Sequence, residues 1–266
     1  MARVIIKLGG GLITDKTQYK AVFRERIDAV SVVISKIIDM GHSVIVIHGA
    51  GSFGHIEAKK WDISGGFNSA ISEDQYAAIE TIRADMDELN SIVMDSLEGA
   101  GVSCDSLPPR EWVNGVGTGF TGDVFAFERS PNLAIPVSFG DVVDINDESC
   151  FGILSGDHLM VRLATELPDV LLCAFLLGDA AGLMSGPPGF NESELLDEWS
   201  ESQGFIGEHD KRIDVTGGIH LKARCASLIS RKAEQVWFID GRKPSRLLDI
   251  ISGGSVIGTR IVPNHS

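Results

Sequence analysis

Lys7 ends an apolar run, Val4-Ile5-Ile6, and is followed after Leu8 by Gly9, Gly10 and Gly11. The run reads as a buried strand. An ammonium at its end is costly to bury without a partner anion, and open α/β sheets bind ligands at that carboxyl edge. A lysine snorkelling past the strand end would be the ordinary alternative. A second stretch has the same form: Val44 to Ile47 reads as a strand and runs into His48-Gly49-Ala50-Gly51-Ser52-Phe53-Gly54-His55. Glycines allow backbone amides to approach an anion closely. A helix start after Ser52 and Phe53 adds free N–H groups, and His55 sets an imidazole beside them. The chemistry suggested is phosphate binding. Gly49, Gly51 and Gly54 also fit the G-x-G-x-x-G dinucleotide fingerprint, but two glycine loops at one edge, one carrying Lys7, suit two phosphate-bearing ligands better.

Other candidates need the fold to bring them in. Lys16 follows the first glycine turn and offers a second cation near the same edge. Asp157, in Ser155-Gly156-Asp157, precedes an apolar helical run; it is placed to cap that helix or to hold lysines by charge pairing. Asp214-Val215-Thr216-Gly217-Gly218 opens a helix carrying Lys222, where the paired glycines raise the phosphate reading. Arg83 is left open between the surface and a phosphate.

The elements that position these residues follow from periodicity. Residues 19–40 carry apolar positions at helical spacing and stop at Gly41, so strand, helix and strand make a β-α-β unit. Residues 73–98 read as a long helix with Ile79, Ile82, Met86, Leu89, Ile92, Val93 and Leu97 on one face. Its first half, including Tyr76 and Met86, is placed to wall an apolar pocket near His55. Ala134 to Val137 reads as a strand, 139–157 as a hairpin return with a glycine turn, and Val170 to Leu177 as a fully buried parallel strand ending at Gly178-Asp179. Residues 185–210 are acidic and contain no Lys or Arg, and read as a mobile excursion or lid. Strands at 235–239 and 258–262 complete the chain.

A net charge of −14 excludes a nucleic-acid surface, which needs a basic stripe. In such an acidic chain each lysine beside a glycine loop becomes informative. The four cysteines form no C-x-x-C pair, so reduced thiols of a cytoplasmic protein are expected rather than zinc or disulfides. No apolar run reaches membrane-span length, and residues 1–13, broken by Lys7 and glycines, are not a signal peptide.

In order, Lys7-Leu8-Gly9-Gly10, His48 to His55, Gly140-Asp141-Val142-Val143, Ser155-Gly156-Asp157, Asp214 to Gly218 with Lys222, and Gly258-Thr259-Arg260-Ile261 resemble the amino acid kinase superfamily. Within it they are most similar to the isopentenyl phosphate kinases, and Gly-Ser-Phe-Gly-His is the most specific element. The resemblance spans almost the whole chain. It implies a three-layer α/β/α sandwich around a mainly parallel sheet, formed by one domain over 1–266. The acceptor half would be about 1–165 and the nucleotide half about 166–266. It also implies ATP with Mg²⁺ as donor, isopentenyl phosphate as acceptor, a step of an alternative mevalonate pathway, and a homodimer. Lys7, Gly9, Gly10, Gly51, Asp179, Gly218 and Lys222 would serve ATP; Ala50, Gly54, His55 and Gly156 would contact the acceptor. Lys16 would hold the transferring phosphoryl group, and Asp157 would orient the lysines. No protein ligand is named for the metal, which phosphate oxygens would hold.

The chain departs from the family pattern at four places. Gly11 replaces a small hydroxyl residue, Ala50 a third glycine, and Ala181 an acid beyond Asp179, while 185–210 lacks a basic contact. Three other readings stand beside this one: a kinase of another small phosphate or phosphonate (fosfomycin-like, or an aminomethylfuran phosphate), a Rossmann NAD-dependent oxidoreductase, and a non-catalytic nucleotide sensor.

Overall fold

The computed structural model describes residues 2–186, 193–203 and 218–264. In chain order it forms β1 (Arg3–Leu8), α1 (Gly10–Ile13), α2 (Arg24–Asp39), β2 (Ser43–His48), α3 (His55–Lys60), α4 (Ser72–Gly99), β3 (Cys104–Ser106) and β4 (Ile135–Phe139). These are followed by β5 (Asp141–Asp144), β6 (Phe151–Leu154), α5 (Gly156–Glu166), β7 (Val170–Leu177), β8 (Glu198–Trp199), α6 (Gly218–Ile229), β9 (Gln235–Asp240), α7 (Arg246–Ile251) and β10 (Gly258–Ile261).

Among the described residues, eight strands make one sheet in the order β3-β4-β2-β1-β7-β9-β10-β8. Every neighbouring pair is parallel except β9 and β10. The hairpin β5–β6 stands apart as a separate antiparallel pair. Side chains alternate across a strand, so β1 sends Val4, Ile6 and Leu8 into a core shared with α2, α4 and α7, and Ile5 into the opposite core with α5 and α6. That is the three-layer α/β/α sandwich. The alternation also puts Lys7 on the face of Ile5, the face covered by α5.

Three differences from the sequence reading have local causes. The glycine turn after β1 is the first turn of α1. The second helix begins at Arg24 rather than Tyr19, because residues 15–21 form a loop closed at its base by the Thr14–Val22 bridge and by Asp15 N–H donating to Ala21 O. Within the expected acidic excursion, Glu198–Trp199 form β8, which pairs with β10, and Trp199 is buried. The rest of the expected lid, apart from 185–186, and Asp214 to Gly217 lie outside the described residues. All four cysteines are free.

Candidate active site

The carboxyl ends of β2, β1 and β7 meet at the centre of the sheet, and a cleft of about 590 Å³ opens there. The two glycine loops touch along its floor. A Cβ on Gly10 would lie 2.5 Å from Gly51 N, and one on Gly9 would lie 2.7 Å from Leu176 O, so neither position admits a side chain without backbone movement. Thr14 ties the loops together: its hydroxyl donates to Gly10 O and accepts from Ser52 N–H, both at 2.9 Å. The sequence reading missed Thr14; a buried hydroxyl just after the turn was the available signal.

Lys7 projects from β1 toward α5 and is almost wholly buried. Its Nζ donates to Asp157 Oδ1 at 2.8 Å, and Lys222 Nζ reaches Asp157 Oδ2 at 3.3 Å. One carboxylate therefore holds two ammonium groups. Burial alone would push the Asp157 carboxyl up, but the charges and hydrogen bonds of Lys222 and Lys7 outweigh it and hold the group well below the usual carboxylate range. Burial pulls the Lys7 pKa down, against the pull of Asp157. Capping is not the role of Asp157. Ser155 caps α5, its hydroxyl accepting from Asp157 N–H at 3.2 Å. Gly156 leaves the space Lys7 needs, since a Cβ there would lie 2.8 Å from Lys7 Nζ.

Of the residues singled out in the sequence, the cleft is lined by Lys7, Gly9, Gly10, Lys16, Ala50, Gly54, His55, Gly156, Asp157, Asp179, Gly218 and Lys222. Gly51 does not line it. Gly51 is buried with φ +53°, and a Cβ would fall 1.9 Å from Thr14 Oγ1, so it shapes the loop junction instead. Lys16 extends over Gly11, where a Cβ would lie 3.3 Å from Lys16 Cε; the missing side chain at 11 leaves room for the lysine.

The wall on the β2 side is apolar: Ala58, Ile82, Met86, Val142 and Ile153 line it. Gly54 faces that wall: a Cβ there would lie 3.0 Å from Ala50 Cβ and 3.6 Å from Met86 Sδ. Tyr76 is not part of the wall; it is half exposed and meets Phe151 edge-on at 5.9 Å. Arg83 donates to the backbone O of the wall residue Val142 at 3.1 Å and pairs with Asp144, fastening the hairpin to α4. The β7 side contributes Gly178, Asp179, Gly218, His220 and Lys222. Asp141 and His220 also line the cleft and were not among the sequence candidates. Among the described residues no group of three His, Cys, Asp or Glu could cage a metal, and Asp157 is committed to its lysines.

The cleft brings three lysines and the glycine-loop backbone together beside an apolar wall, and the His55 imidazole lines it as well. It can neutralise clustered phosphate charge next to a short hydrocarbon.

A model of the amino acid kinase family matches residues 2–240. The isopentenyl phosphate kinase of Thermoplasma acidophilum is 34% identical over 97% of this chain and 99% of its own, and that of Methanocaldococcus jannaschii is 27% identical over 97% of each. A crystal structure of the T. acidophilum isopentenyl phosphate kinase product complex resembles this chain with a TM-score of 0.79 at 29% identity, covering 98% of this chain and 100% of that one. A carbamate kinase from Giardia lamblia bound to AMP-PNP shares the fold alone, with a TM-score of 0.64 at 12% identity over 99% of each chain.

Proposed function

The chain belongs to the amino acid kinase family, and from that premise we propose that it transfers the γ-phosphoryl group of ATP to isopentenyl phosphate, giving isopentenyl diphosphate and ADP. The observation that carries this reading is the Lys7–Asp157–Lys222 cluster at the glycine-loop edge, in one cleft with His55 and the apolar Ile82–Met86 wall.

The acceptor phosphate is already nucleophilic, so no strong base is required; positioning and charge neutralisation dominate. An acceptor oxygen forms a bond to the γ-phosphorus as the β–γ bridging bond breaks, and the electron pair leaves with ADP. Lys7 and Lys222, held apart by Asp157, and Lys16 stand where negative charge crowds in the transition state. His55 donates to the acceptor phosphate, and Ala50, Gly54 and Gly156 leave space for it. Gly9, Gly10, Asp179 and Gly218 serve the nucleotide. The acceptor side thus falls in the N-terminal half, while the nucleotide side draws on both: Gly9 and Gly10 from the first half, Asp179 and Gly218 from the second. Mg²⁺ neutralises phosphate charge when bound; with no protein cage among the described residues, phosphate oxygens would hold it.

A homodimer, a cytoplasmic setting and a step in an alternative mevalonate pathway belong to the same reading. It is supported by the similarity to isopentenyl phosphate kinases, and no described helix is long and apolar enough to cross a membrane.

The test is coupled ADP release over isopentenyl phosphate, dimethylallyl phosphate, geranyl phosphate and fosfomycin. The first should give the highest kcat/KM. A preference for fosfomycin would reassign the acceptor, and ADP release independent of every acceptor would refute the reading.

A further inference from the structure

Residues 15–21, which carry Lys16, are fastened to α4 by a cluster outside the catalytic groups. Asp85 is nearly buried, with its side chain 6% exposed, and lies between Ile82 and Met86 of the acceptor wall in sequence. Tyr19 Oη donates to Asp85 Oδ2 at 2.6 Å, and Lys20 Nζ pairs with Asp85 Oδ1 at 2.8 Å. Lys20 also binds Glu88 one turn on, and its ammonium lies 5.8 Å from the centroid of the Phe53 ring in the second glycine loop. The Lys20 backbone is left-handed, φ +55°. A non-glycine residue keeps that conformation where its surroundings over-determine it, and here Asp85, Glu88 and the Phe53 ring hold the side chain. Inside the loop, Asp15 accepts from Thr17 and Gln18.

We infer that Asp85 is a positioning residue: with Tyr19 and Lys20 it sets where Lys16 stands relative to the acceptor wall. Three walls of the acceptor side meet at this one carboxylate: the loop of Lys16, the helix of Ile82 and Met86, and, through Lys20, the loop of His55. Charge-assisted hydrogen bonds of this kind are short and directional, whereas Lys16 itself is a flexible point charge whose stem passes over Gly11. Fixing the loop fixes the cation. Asp85 touches no reacting atom and acts through Lys16.

The kinetic part of this inference rests on the kinase reading above; the structural part does not. Asp85→Asn, and separately the double variant Tyr19→Phe with Lys20→Met, should speed amide exchange of residues 15–21 by about tenfold or more while α4 residues 89–97 keep their protection. In turnover of isopentenyl phosphate, Asp85→Asn should lower kcat by about 10- to 100-fold with the KM for ATP unchanged. In a Lys16→Met background the same substitution should change kcat less than about twofold, because its effect is already absent. Equal losses with and without Lys16 would overturn the inference, as would unchanged loop exchange in both variants. General loosening of α4 would mark Asp85 as a packing residue only. If the wild-type chain turns over no isopentenyl phosphate, the kinase reading fails, and the exchange result still decides whether Asp85 holds the loop.

Discussion

Asp157 Oδ1 accepts a hydrogen bond from Lys7 Nζ at 2.8 Å, with both side chains almost completely out of water. The same carboxylate reaches Lys222 from the other oxygen. Breaking a buried pair strands the remaining charge, which costs about 3–5 kcal/mol. Asp157→Ala would leave two ammoniums facing each other. Chemical denaturation should show a loss of that size, together with loss of turnover.

The same carboxylate fixes a pH dependence. Its folded pKa is held below the unfolded value of about 3.9. The stabilisation is therefore complete above that value and is lost as pH falls below it, where the unfolded chain takes up a proton that the folded chain refuses. The stability gap between wild type and Asp157→Asn should be constant from about pH 7 to 5 and shrink as pH falls below about 4. A gap that widens on acidification would contradict the pairing.

Lys222 is partly exposed, its side chain 18% accessible, so its removal should leave the fold intact. Lys222→Ala should cut kcat by about 10²–10³-fold, the scale of losing one preorganised donor to developing charge. Steady-state kinetics beside a thermal melt check this; near-normal turnover would remove Lys222 from the chemistry.

His55 opens α3 and lines the cleft, where the proposed function gives it the acceptor phosphate. His55→Ala should raise the KM for isopentenyl phosphate at least about tenfold, the worth of one hydrogen bond to a charged group, and leave the KM for ATP within about twofold. Equal effects on both substrates would refute an acceptor-specific role.

Ile82 is 3% exposed and lines the apolar wall. Ile82→Ala should destabilise by about 2–5 kcal/mol and shift the kcat/KM ratio toward geranyl phosphate. An unchanged ratio would place the hydrocarbon tail elsewhere.

The sandwich was legible because β1, β2 and β7 are almost continuous apolar runs, which only a sheet covered on both faces can absorb. Their glycine exits marked the site for the same reason. Asp157 was harder to place: its local sequence favours a cap, and only the alternation of β1, which turns Lys7 toward α5, decides for the lysines. The resemblance gives Gly51 to the nucleotide, yet its backbone, at φ +53°, packs directly against Thr14. Tyr76 shares a helix face with Ile79 over one turn, but lies beyond the cleft. The edge strand β8 was hidden because two residues, Glu198 and Trp199, carry no periodicity; their partner β10 lies far along the chain. The Tyr19–Asp85 bond joins residues 66 apart, a separation no local pattern records.

In the proposed reaction two phosphoryl groups meet in one cleft, between His55 and the lysines that Asp157 holds. A crystal structure of the ternary complex with Mg²⁺, a non-hydrolysable ATP analogue and isopentenyl phosphate tests it most directly. The γ-phosphate should lie within hydrogen-bond distance of Lys7, Lys16 or Lys222, and the acceptor phosphate within that distance of His55, with its tail against Ile82 and Met86. Nucleotide bound away from Lys7 and Lys222, or an acceptor phosphate out of reach of His55, would contradict it.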